Sequence, residues 1–201
     1  MQHSFARSKT VSMLLSFLSA CTLKVFGWKL AGGLPQRSHL VLIVSPHTSN
    51  WDFPVALLFK WKLRLQGNYL GKHTLFRGPL GWFMRATGGT PVIREGNHRV
   101  VDQVAQMFRD RSRFWLAIAP SGTRSHTDHW RSGFYRIALA AKVEIMPVRL
   151  DFSRKTMTIG EPLMPSGDIA ADMDTMRSFF KGALGYRPEQ MTPVGLSDEE
   201  S

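Results

Sequence analysis

The run LVLIV at 40–44 is the feature that most limits what this chain can fold into. Five consecutive apolar residues leave no polar face, so a strand built from them must be covered on both sides, as in a parallel sheet layered with helices. RFWLAIAP (113–120) reads as a second buried strand and VEIMPVRLDF (143–152) as a third. Shorter strand patterns stand at NYLGKH (68–73), at TPVIR (90–94, ending on Arg94) and at KTMTIG (155–160). Helical segments fall between them. They are predicted over 55–65, with Lys60, Lys62 and Arg64 near its end to complement the dipole, and over 78–89, stopped by Gly88 and Gly89. A further helix is predicted over 97–110, where Val100, Val101, Val104 and Met107 recur at helical spacing, then another over 134–142 and a weaker one around 172–180. Strands alternating with helices define an α/β fold with a mostly parallel central sheet flanked by helices.

At 201 residues the chain is large enough for one well-buried domain. We expect it over 36–186, preceded by an N-terminal segment (1–35) and followed by a frayed tail (187–201). The N-terminal segment has Arg7 and Lys9 ahead of thirteen apolar-leaning residues, 11–23. That is short of the roughly 20 needed to span a bilayer. It resembles a secretory signal, and Leu18-Ser19-Ala20-Cys21 resembles a lipoprotein cleavage box. The chain nevertheless stays apolar beyond Cys21, with Leu23, Phe26 and Leu30 on one helical face between Lys24 and Lys29, while Val25 and Trp28 fall off it. Two readings stand: an amphipathic, membrane-associating helix lying in a bilayer interface, or a helix that caps the core.

Charge narrows the partners. Twenty-six Lys and Arg against fifteen Asp and Glu give +11, which calls for anions: a bilayer surface, a phosphorylated small molecule or nucleic acid. No nucleic-acid-binding motif is present, so nucleic acid is set aside. The single cysteine, Cys21, excludes an intrachain disulfide and a cysteine-pair zinc site. SHTDH brings His126, Asp128 and His129 together without a further ligand nearby, so no metal site is expected.

The buried strand at 40–44 runs directly into SPHTSNWDFP (45–54). A His and an Asp five positions apart would lie about 140° apart on a helix and on opposite faces of a strand. Only a turn lets them meet, and Pro46, Ser45, Thr48, Ser49 and Asn50 are turn-forming residues. The plain alternatives are a structural turn histidine at 47 and an aspartate at 52 that caps the next helix. Similar polar turns at 94–99 and 120–125 follow other strands, and in open α/β sheets such turns gather at one cleft.

His47-Thr-Ser-Asn-Trp-Asp52, GGTPVIR (88–94), Pro120-Ser121-Gly122-Thr123-Arg124-Ser125 and Ile145-Met146-Pro147-Val148 stand in this order. Together they resemble the four motifs of the glycerolipid acyltransferases that act on glycerol 3-phosphate and lysophosphatidic acid. The resemblance covers about 36–165. It implies transfer of a fatty acyl group from acyl-CoA or acyl-carrier protein to a lysophospholipid acceptor, with no cofactor, by a peripheral enzyme on the cytoplasmic face of the cell membrane. His47 would act as general base and Asp52 would orient it. Arg94 and Arg124 would clamp the acceptor phosphate through charge-assisted forks, with Ser121, Gly122 and Thr123 completing the acceptor site. Backbone N–H groups at Gly122 and Thr123 are the candidates to meet the thioester oxygen as it gains charge. One position departs: the family has Glu where this chain has Ser121. Two other classes fit some of these features. A hydrolase could use the same pair on water, although no G-x-S-x-G elbow exists. A basic lipid-binding module would account for the charge without catalysis.

Overall fold

The computed structural model describes residues 9–92 and 97–197. Its elements run α1 (Lys9–Val25), β1 (Lys29–Ala31), β2 (His39–Ser45), α2 (Asp52–Lys62), β3 (Gly67–Lys72), α3 (Gly78–Ala86), β4 (Gly89–Val92), α4 (Asn97–Asp110), β5 (Phe114–Ile118), α5 (Gly133–Ala141), β6 (Glu144–Asp151), β7 (Thr156–Ile159) and α6 (Ile169–Phe180). One seven-stranded sheet has the order β1-β7-β6-β2-β5-β3-β4. The α/β reading therefore holds, and LVLIV lies on the central strand β2, parallel to both β5 and β6. Its side chains alternate between two cores. Val41 and Ile43 join Val104, Phe108, Phe134 and Ile145. Leu40 and Leu42 join Leu23, Val55, Phe59 and Met146 on the other face. Each such side chain stabilises the fold by roughly 1.5–3 kcal/mol. Strands β6 and β7 pair antiparallel, because only a tight turn joins them, whereas parallel neighbours need a crossover.

Several boundaries differ from the sequence reading. Helix α2 begins at Asp52 rather than 55. Its Lys60 does not simply face its own dipole: the ammonium donates to the carbonyls of Gly67 and Thr87, joining β3 to the end of α3. Gly89 opens β4, so Gly88 alone marks the stop of α3. Helix α6 begins at Ile169, where the Asp168 carboxylate accepts from Ala171 N at 3.1 Å.

The largest corrections are at the two ends. Residues 29–31 form an edge strand paired in parallel with β7, so the N-terminal segment is built into the sheet. Within it, Leu23 is buried in the core and Ser16 Oγ donates to Lys62 O at 2.9 Å, fastening α1 to α2. The expected Leu23–Phe26–Leu30 face does not exist as one face. The helix ends at Val25, Leu30 belongs to β1, and Trp28 packs edge-on against Phe152 with ring centroids 5.0 Å apart. The exposed apolar face of α1 is instead Met13, Leu14, Phe17, Leu18 and Val25. At the other end, residues 187–197 are not a frayed tail. Trp130 and Leu196 form a parallel bridge, and Leu196 is buried. Among the described residues, no helix is long and apolar enough to cross a membrane.

Candidate active site

Strand β2 delivers the chain at Ser45 into a turn that is wound around one carboxylate oxygen. His47 Nδ1 donates to Asp52 Oδ2 at 2.9 Å, and the backbone N–H groups of Thr48 and Ser49 donate to the same oxygen at 2.8 and 2.9 Å. The Asp52 side chain is 4% exposed and that of His47 is 22% exposed, so the carboxylate is buried and the imidazole reaches solvent. Asp52 is not the cap of α2: Trp51 occupies that position and makes no side-chain cap bond. As the first helical residue, Asp52 still places its negative charge at the positive end of the dipole. A carboxylate can only accept, so Nδ1 carries a proton, and in the neutral imidazole Nε2 then keeps its lone pair. Nε2 has no protein partner among the described residues. His47 and Asp52 line a cleft of about 1290 Å³. Its apolar wall includes Leu42, Val44, Trp115, Met146, Val148 and Met157.

The turn after β5 meets this cleft because β5 pairs directly with β2. Gly122, Thr123 and Arg124 line it. Gly122 has φ +69°, and a Cβ there would stand 2.9 Å from Cδ and Nε of Arg131, so the turn needs glycine twice over. Two hydrogen bonds within this turn bear on the roles expected of its residues. The Gly122 N–H donates to Ala119 O at 3.0 Å, closing the turn, and is not free to meet an oxyanion. Ser121 is 6% exposed and its Oγ donates to Thr123 O at 2.8 Å, so it shapes the turn and lines neither this cleft nor the smaller pocket beside it. The Thr123 hydroxyl accepts from Ser125 N at 3.3 Å. The Arg124 guanidinium has no protein partner among the described residues. Arg94 lies outside the described residues.

Three functional candidates were not found by sequence reasoning: Tyr186, Arg187 and Gln190. Arg187 and Gln190 come from the segment expected to fray, and Tyr186 stands just before it. Arg187 N donates to Thr48 Oγ1 at 3.1 Å. The Gln190 carboxamide, turned with its NH2 toward the site, donates to Arg124 O at 2.8 Å and to Thr48 O at 3.0 Å. Gly185 packs so closely that a Cβ there would stand 2.5 Å from Thr48 Oγ1. The C-terminal segment thus ties the His47 turn to the Arg124 turn. With them it encloses a polar pocket of about 270 Å³ that includes Asn50, Trp51, Arg124, Arg187 and Gln190. Nearby, the His126 Nδ1 lies 2.7 Å from Met191 O. Among the described residues, no group of three or more His, Cys, Asp or Glu side chains could hold a metal.

The family model for acyltransferases matches residues 33–151, more than half of the chain and all four motifs. The chain belongs to the acyltransferase family. It is 33% identical over 116 residues to the 1-acyl-sn-glycerol-3-phosphate acyltransferase of Streptococcus pneumoniae (strain ATCC BAA-255 / R6). That match covers 57% of this chain and 43% of the relative, so the chain spans less than half of that relative's length. The fold is shared with the crystal structure of PlsC, the 1-acyl-sn-glycerophosphate acyltransferase from Thermotoga maritima, at a TM-score of 0.53 and 17% identity. That superposition covers 81% of this chain and 75% of PlsC.

Proposed function

We propose that this protein transfers a fatty acyl group from a thioester, acyl-CoA or acyl-carrier protein, to the hydroxyl of a lysophosphatidic-acid-like acceptor. The observation that carries the proposal is the His47 Nδ1–Asp52 Oδ2 bond of 2.9 Å at the mouth of an apolar-walled cleft. In this reading Nε2 takes the proton of the acceptor hydroxyl as its oxygen attacks the thioester carbonyl. The tetrahedral intermediate then expels the thiolate, which recovers that proton from the imidazolium. Asp52, buried and hydrogen-bonded, holds the ring in the required tautomer and stabilises its charged form. The Thr123 N–H is the remaining candidate donor to the oxyanion. Arg124 meets the acceptor phosphate, with Arg94 as its partner by family resemblance. The apolar wall accommodates the acyl chain. No cofactor is required.

Direct attack is favoured over a seryl intermediate by the surroundings of the base. Ser45, Ser49 and Ser121 are all buried, and none of their hydroxyls bonds to His47 among the described residues. The exposed apolar face of α1, with Lys24 and Lys29 near its end, supports a peripheral position on the anionic, cytoplasmic face of the cell membrane. Helix α1 has 17 residues, about 25 Å at 1.5 Å each, short of a bilayer core of roughly 30 Å. The test is mass spectrometry of products formed from acyl-CoA, or acyl-carrier protein, and a panel of lysolipids. A diacyl product confined to phosphate-bearing acceptors is expected. Free fatty acid and free thiol as the sole products would replace transfer by hydrolysis.

A further inference from the structure

We infer that Arg187 is a specificity-determining residue: with Arg124 it forms a pocket for a phosphomonoester, held in register with the His47 turn by Gln190. The inference rests on the acyl-transfer reading for the identity of the acceptor, and on geometry alone for the pocket. Arg187 lies beyond the residues 33–151 that match the family, so the family's motifs do not assign it.

Charge is the first argument. Among the described residues, the polar pocket is lined by two arginines, Arg124 and Arg187, and by no acidic residue. Neither guanidinium has a protein partner among the described residues. Glu189, the nearest acid in sequence to Arg187, is exposed and does not line the pocket. Two unpaired forks around one concavity repel each other and attract an anion, and the planar fork suits bidentate phosphate contact. A phosphomonoester carries about −1.5 to −2 charge near neutrality, so it answers both arginines. A phosphodiester, with a single charge, answers them less well.

Position is the second argument. Arg124 and Asn50 line both the polar pocket and the large cleft that holds His47, so the two spaces share a wall. In a 1-acyl glycerol phosphate, the free hydroxyl and the phosphate are borne on adjacent carbons. A phosphate seated between Arg124 and Arg187 therefore leaves its hydroxyl within the adjoining space at His47. The Arg187 backbone is also fixed in place. Its N–H is bonded to Thr48, the residue after His47, and its carbonyl accepts from Gln190 N at 3.0 Å. Gln190 in turn spans Thr48 O and Arg124 O, and the absence of a side chain at Gly185 allows the close approach.

The test uses the full chain and two readouts. The first is calorimetric binding of sn-glycerol 3-phosphate, with the phosphodiester glycerophosphocholine as comparison, to wild type, Arg187→Ala, Arg187→Lys and the exposed control Lys181→Ala. The second is the KM for lysophosphatidic acid and for acyl-CoA in the same proteins. Arg187→Ala should weaken glycerol 3-phosphate binding and raise the acceptor KM roughly tenfold to a hundredfold, the loss expected for one charge-assisted contact. The acyl-CoA KM and kcat should stay within about twofold, Arg187→Lys should recover part of the loss, and glycerophosphocholine should respond less. If wild type makes no diacyl product, the acyl-transfer reading fails, while a binding loss in Arg187→Ala still upholds the pocket. Equal binding in wild type and Arg187→Ala, or no saturable binding of glycerol 3-phosphate by wild type, would overturn it.

Discussion

Asp52 organises its turn with a single atom. Oδ2 gathers the imidazole N–H and two backbone N–H groups, while Oδ1 is buried without a hydrogen-bond partner among the described residues. The pairing of His47 with Asp52 was legible in sequence, because a five-residue separation bracketed by turn-formers admits contact only through a turn. That the same oxygen also organises Thr48 and Ser49 was not, since backbone donors leave no trace in residue identity. Ser121 is the converse case. The sequence marks it as an acceptor contact, and only the turn's geometry turns its hydroxyl back onto Thr123. These bonds separate the roles of Asp52 by substitution. Asp52→Asn keeps the shape and loses the charge and the fixed tautomer, so kcat should fall about 10³- to 10⁴-fold by analogy with other histidine–carboxylate pairs, with acceptor KM little changed. Asp52→Ala also orphans two buried N–H groups, at about 1–3 kcal/mol each. Its melting temperature should fall well below that of Asp52→Asn, by calorimetry.

At the scale of elements, patterned segments were readable, the short strands β3, β4 and β7 among them, and the shortest strand, β1, was not. The 97–110 helix matches α4 residue for residue because Val100, Val101, Val104 and Met107 recur at helical spacing. Strand β1 has three residues, too few for any period, and exists because β7 offers an unpaired edge. The C-terminal segment is held by hydrogen bonds to Thr48 and Arg124 and by the bridge at Leu196, contacts that no hydrophobic pattern announces. The end of β6 belongs to the same junction. Burial pushes the Asp151 carboxyl upward, but donors from Ser153 Oγ, the Arg154 side chain and the backbone of Arg154 and Leu184 outweigh it and hold the group below the ordinary carboxylate value of 3.8. A depressed folded value means that the ionised form stabilises the fold above the unfolded value. That contribution is lost as pH falls through the lower folded value. Asp151→Asn should therefore cost about 1–3 kcal/mol in urea denaturation at pH 7. The gap to wild type should close below about pH 4. A pH-independent gap would show that packing, not charge, sets the contribution of Asp151.

For the whole molecule, the charge of +11 and the exposed faces of the helices belong to one account. Helix α1 both caps the core through Leu23 and presents Leu14, Phe17 and Leu18 outward, so the two readings of the N-terminal segment describe opposite sides of one helix. If the outward side meets the bilayer, Leu14→Glu combined with Phe17→Glu should lower binding to anionic vesicles at least about tenfold. Unfolding by urea should be nearly unchanged, because neither residue is buried. Unaltered vesicle sedimentation would remove α1 from the membrane contact. The family itself was legible in four ordered motifs. The C-terminal closure of the site was not, because it lies outside them.

The central claim is that His47 draws the proton from an acceptor hydroxyl that itself attacks the thioester. The measurement that tests it most directly is the rate of thioester cleavage from acyl-CoA with and without lysophosphatidic acid, in wild type and His47→Ala. The account predicts acceptor-dependent cleavage with one diacyl product per thiol released, and a loss of at least about 10³-fold in His47→Ala with acceptor binding retained. Acceptor-independent cleavage, or wild-type turnover in His47→Ala, would contradict it.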